Sequence, residues 1–130
     1  MSISKYQAIV LLLIFGLVSI VGCYYDNTII NDNQEISGTV SFNDDIITIF
    51  NKDCNTSGCH NTGGIKPDLS PSNAYDALTN GNYLNNENPE ESELYQWMKG
   101  NRSVPMPVSG PNNSYNARIL AWIKQGSLNN

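Results

Sequence analysis

An all-α fold is predicted for this chain by three observations. Apolar residues recur at helical spacing in four short segments, each bounded by capping or helix-stopping residues. No pair of segments alternates apolar and polar residues in the manner of paired strands. The chain has 130 residues, enough for one domain and not two.

The first 22 residues lie outside that fold. Lys5 is the only charged side chain ahead of Ala8–Ile20, an almost wholly apolar run. The run is shorter than the about 20 apolar residues of a transmembrane helix, and it fits the apolar centre of an export signal. It ends Ile20-Val21-Gly22-Cys23, which resembles a bacterial lipobox. The resemblance implies that residues 1–22 are a lipoprotein signal peptide, cleaved before Cys23, and that Cys23 carries the lipid. Two or more acyl chains anchor a protein stably where one does not. The chain is therefore expected in the bacterial cell envelope, on the periplasmic face of the inner or outer membrane. Residues 23–41 are polar, rich in Asn and Asp, and without a period. They read as a flexible tether ahead of a domain spanning residues 42–130.

The first helix is expected to start at Asn43, a good N-cap, with Asp44 and Asp45 favoured by the dipole of the first turn. Ile46, Ile47, Ile49 and Phe50 supply its apolar face, and it should end near Asp53. The stretch Ile65-Lys66-Pro67-Asp68-Leu69 should be extended, because proline restricts the residue before it. Ser70-Pro71-Ser72 reads as the start of a second, short helix bearing Tyr75, Ala77 and Leu78, stopped by Asn80-Gly81-Asn82. A third helix should open at Pro89-Glu90, with Glu90, Glu91 and Glu93 in its first turn and Gly100 just past its end. The last helix is the strongest. Asn113 or Ser114 caps it, Tyr115, Ile119, Trp122 and Ile123 share one face, and Lys124 and Gly126 suit its C-terminus.

Net charge is −5, and no basic patch is available to neutralise phosphates, which argues against nucleic acid as a partner. The chemistry is concentrated in Cys54-Asn55-Thr56-Ser57-Gly58-Cys59-His60, which holds two of the three cysteines and the single histidine. Two thiols followed by an imidazole are what covalent haem attachment requires, usually spaced C-x-x-C-H. Here two further residues lie between the cysteines. The thiols can add to the two vinyl groups, and the imidazole can ligate the iron. Two other readings use the same residues. Outside the cytoplasm a Cys54–Cys59 disulfide is expected unless something else claims the thiols, leaving a non-haem interaction module. Two thiols, an imidazole and a thioether also suit Cu(I). Zinc lacks a fourth protein ligand, and an iron–sulfur cluster lacks its cysteines.

If a haem is held, its second axial ligand comes from Met98 or Met106, the methionines beyond Met1. Met98 falls inside the third helix beside Trp97, where a methionine usually packs. Met106 sits between Pro105 and Pro107, which stiffen the loop and reduce the entropy lost in presenting the thioether. His60/Met106 ligation fills both axial positions and raises the potential, which suits electron transfer rather than enzymatic catalysis. The acidic run Glu87, Glu90, Glu91 and Glu93 reads as a solvated helix start, not a catalytic pair.

The order of these features resembles the class I cytochrome c domain, and within it the small domains of bacterial lipoproteins and planctomycete-type cytochromes. The resemblance covers Asn43 to Ser127. It rests on a helix, the Cys54–His60 site, the Gly63-Gly64-Ile65-Lys66-Pro67-Asp68-Leu69 loop, Ser92-Glu93-Leu94-Tyr95, Met106-Pro107, and a closing helix with Trp122-Ile123. It implies one covalently attached haem c around which the helical domain wraps. Cys54 and Cys59 would be the attachment residues, and His60 and Met106 the axial ligands. The widened loop leaves open whether one thiol or both are used. The family likeness further implies single-electron exchange with redox partner proteins, and first and last helices that cross, burying Phe50 against the Tyr115/Ile119/Trp122 face.

Overall fold

The computed structural model describes residues 36–130. The export signal, Cys23 and residues 23–35 of the expected tether lie outside the described residues. Among the described residues the regular structure is helical, with no strand, and no helix is long and apolar enough to cross a membrane.

Regular structure starts earlier than Asn43, with Ser41 as the cap. The Ser41 backbone is extended, and its Oγ accepts from Asp44 N at 3.2 Å. Asp45 Oδ2 reaches back to accept from Ser41 N at 2.9 Å. This is the reciprocal logic of a capping box, with the acid one residue late because the first turn, Phe42–Ile46, is a π-turn. The wide turn directs Phe42 inward, where it is 1% exposed. It runs directly into α1 (Ile47–Asp53), which ends at Cys54.

The short helix α2 (Ala74–Asn80) begins later than Ser70. Asn73 N and Ala74 N both donate to Ser70 O at 2.9 Å, so the preceding residues form a lead-in turn. The expected third helix is divided. A 3₁₀ turn, Pro89–Glu91, is followed by an extended Ser92 and then by α3 (Glu93–Met98). The cause is the buried Ser92 side chain, whose Oγ accepts from Asn85 N at 2.9 Å. That contact holds its backbone out of the helical conformation. Gly100, at φ 76°, follows the Lys99 cap as expected. The last helix, α4 (Asn113–Lys124), is capped by Asn112, whose Oδ1 accepts from Tyr115 N at 3.1 Å.

The two ends of the domain pack on each other. The Phe42 ring lies 5.2 Å from Trp122, 5.3 Å from Tyr75 and 6.5 Å from Phe50. Phe50, Ile119 and Trp122 are fully buried in the same core, with Tyr115 partly buried at its edge. Arg118 pairs with Asp45, linking α4 to the π-turn. The tail completes the junction. Trp122 Nε1 donates to Leu128 O, and Asn130 accepts from Phe42 N and Asn43 N. Val40 is already buried, and its N–H donates to Gln125 Oε1 at 2.9 Å.

Candidate cofactor cavity

The segments between α1 and α2 and between α3 and α4 share one cavity of about 370 Å³. That lies within the roughly 300–1,000 Å³ range of small-molecule and cofactor sites. Cys54, Cys59 and His60 line it from the first segment, and Met106, Pro107 and Val108 from the second. Phe50, Leu69, Tyr83, Leu94, Trp97 and Met98 give the remainder of the wall its apolar character.

The widened cysteine loop is closed by its own backbone. His60 N donates to Cys54 O at 3.1 Å, and Cys59 N donates to Thr56 O at 2.9 Å. Gly58 takes φ 81°, which the turn requires and which glycine adopts without strain. Thr56, Ser57 and Gly58 are exposed. The additional length therefore bulges into solvent, while Cys54, Cys59 and His60 remain on the cavity wall. Cys54 and Cys59 are both free thiols. Burial, reinforced by the neighbouring Asp53 and Cys59 charges, pushes the Cys54 thiol up to about 12. It therefore stays protonated and contributes an uncharged surface to the wall.

His60 is held in one tautomer. Its Nδ1 lies 3.1 Å from both Ile65 O and Pro67 O. Carbonyls only accept, so Nδ1 carries the proton, and in the neutral ring Nε2 keeps its lone pair. This is how a ligating histidine is normally oriented by the shell behind it. The carbonyls are presented by a loop tied to its own start. Ile65 N donates to Cys59 O at 2.8 Å and Leu69 N to His60 O at 2.7 Å. Asp68 secures the far end, accepting from Ser70 N at 3.0 Å, Ser70 Oγ at 2.5 Å and Asn73 Nδ2 at 2.8 Å. Those donors, led by the Ser70 hydroxyl, hold its carboxyl down at about 2.

On the opposite segment Met106 is half-buried, and its N–H donates to Trp97 O at 3.2 Å. Pro107 behind it is buried. Met98 also borders the cavity but is 3% exposed and belongs to the hydrophobic core. Among the described residues no three His, Cys, Asp or Glu side chains gather closely enough to hold a metal ion. The donors are spread around a cavity instead.

All four expected site residues within the described region thus reach one cavity, whereas Cys23 lies outside that region. Sequence reasoning missed the carbonyls of Ile65 and Pro67 and the walls formed by Tyr83 and Trp97. Carbonyls have no residue signature. Tyr83 follows a helix stop and carried no periodic signal. Comparisons of the chain with protein-family models, with curated proteins and with solved structures find no match.

Proposed function

We propose that the chain is a lipid-anchored, monohaem c-type cytochrome that carries single electrons in the bacterial cell envelope. The observation that carries this reading is that Cys54, Cys59, His60 and Met106, from two separate segments, line one mostly apolar cavity. The donor set fits the group: two thiols beside an imidazole with a free Nε2, and a thioether on the second segment. Donors spread around a wall suit a planar, extended group better than a single ion such as Cu(I).

When bound, haem c would supply an iron that cycles between two oxidation states by one electron. The rest is the work of the chain. Cys54 and Cys59 would hold the group covalently, through one thioether or both. His60 would offer Nε2, kept in that tautomer by Ile65 O and Pro67 O, and Met106 would offer its sulfur. Phe50, Leu94 and Trp97 would exclude water, which favours a stable potential over substrate chemistry. Cys23 would tether the domain to the membrane, a reading supported by the lipobox pattern alone. The partners would be redox proteins that approach the cavity mouth.

A haem-stained denaturing gel and a pyridine haemochrome spectrum on membranes of the native host test this. One covalent haem per chain is expected. Chain recovered from that host without covalent haem overturns it.

A further inference from the structure

The geometry points to Glu93 as a positioning residue that holds the Met106 segment against the cavity through Arg102. The inference rests on the haem reading, with Met106 as the second axial ligand, and it concerns what keeps that ligand in place.

Met106 belongs to an irregular stretch between α3 and α4, and such stretches open easily unless tied down. The ties converge on α3. Arg102 Nε donates to Glu93 Oε1 at 2.9 Å and its terminal nitrogen donates to Oε2 at 2.6 Å. This two-pronged pairing fixes direction as well as distance. Trp97 is one turn further along α3, lines the cavity, and accepts the Met106 N–H on its own carbonyl at 3.2 Å. One carboxylate on α3 thus fastens the start of the Met106 segment through Arg102, beside the Trp97 carbonyl that accepts the Met106 N–H. Gly100 makes the turn between them at φ 76°, where an added Cβ would be 3.0 Å from Pro111.

Both partners are about one-third exposed, at 35% and 37% of their side-chain surface. The clamp is therefore sensitive to salt and modest in strength. Its effect should appear where Met106 competes with an added ligand, more than in overall stability.

The test uses the full chain, loaded with haem in a host with c-type maturation and kept in detergent. Ferric protein is titrated with imidazole, and the far-red Met–Fe(III) charge-transfer band is followed. Glu93→Gln and Arg102→Gln should each raise the apparent imidazole affinity about fivefold, the upper range for a partly exposed pair. Arg102→Lys, which keeps charge but not the fork, should fall between. High salt should move the unmutated protein towards the variants and leave the variants unchanged. If Glu93→Gln does not accumulate, the Arg102 variants carry the test. Lower urea midpoints with unchanged imidazole affinity would assign the pair to fold stability alone and overturn the inference. Met106→Ala separates the two levels. Loss of the band in Met106→Ala, with no affinity change in the Glu93 and Arg102 variants, removes the clamp and keeps the ligand. A band that survives Met106→Ala removes the ligand assignment and the clamp with it.

Discussion

Replacing Gly64 by alanine sets an entropic gain against a steric cost, and the structure decides the sign. Gly64 is not at positive φ. At an open site of that kind, Gly→Ala stabilises by about 0.4–1 kcal/mol by restricting the unfolded chain. Here a Cβ would sit under 3.0 Å from Cys59 O and Asn61 Oδ1. Cys59 O is backbone and already accepts from Ile65 N at 2.8 Å. Making room costs that bond, about 0.5–1.5 kcal/mol, or overpacking strain of about 1–3 kcal/mol. Net of the entropic gain, the expectation is a loss of up to about 2 kcal/mol. Gly63 is the internal control. It lies at φ 79° with open space around its Cβ, so Gly63→Ala loses about 1–2 kcal/mol through left-handed backbone strain alone. Asparagine separates the two causes, because it tolerates left-handed φ but is larger. Gly63→Asn should recover most of the loss, and Gly64→Asn should deepen it. Urea denaturation of the full chain, followed by far-UV circular dichroism, reads both as midpoint shifts at constant slope. A higher midpoint for Gly64→Ala, or Gly64→Asn no worse than Gly63→Asn, would refute the steric argument. It would also remove the reason for thinking that the loop is braced to present Ile65 O and Pro67 O to His60.

Phe42→Ala should be among the most damaging core substitutions. Burial alone gives about 3–5 kcal/mol, and three aromatic neighbours within 6.5 Å favour the upper half of that range. Phe42→Leu should cost less than about 1.5 kcal/mol. Thermal unfolding checks both, and a loss under about 2 kcal/mol for alanine would place Phe42 outside the core. Asp68 predicts an acid limit. Its folded value of about 2 lies below the ordinary 3.8, so folding favours the ionised form. That stabilisation is complete above the ordinary value and is lost as pH falls through about 2. The stability difference between wild type and Asp68→Asn should therefore shrink between about pH 4 and pH 2. A difference independent of pH across that window would show that ionisation of Asp68 contributes nothing.

Helix identity was legible in the sequence where period and cap agree. α4 is found within a residue of its expected start, because Tyr115, Ile119, Trp122 and Ile123 define one face and Lys124-Gln125-Gly126 defines an end. Starts were less legible where a side chain's burial outweighs its local preference. Ser92 reads as an ordinary position inside an acidic helix start, but its Oγ accepts from Asn85 N, a contact set by the loop before it. The π-turn has the same origin. Asp44-Asp45 announces a helix N-terminus, yet placing Phe42 on Trp122 depends on a residue more than 70 positions away, and no local pattern encodes it.

The candidate site divides along a chemical line. Side-chain donors identify themselves by type, so Cys54, Cys59, His60 and Met106 could be named from one sequence, and they line one cavity. What holds those donors does not identify itself. His60 is fixed by two backbone carbonyls, and Met106 is tied through the carbonyl of Trp97 and a Glu93–Arg102 pair nine residues apart. Nine residues match no helical or strand period, so the pairing becomes visible only once Gly100 has turned the chain back on α3. The widened cysteine loop illustrates the converse. Its two further residues look disruptive as a motif but are accommodated in space, because the His60 N–Cys54 O bond closes the loop behind them. For a site of this kind, motif spacing constrains less than the backbone bonds that return the donors to one wall.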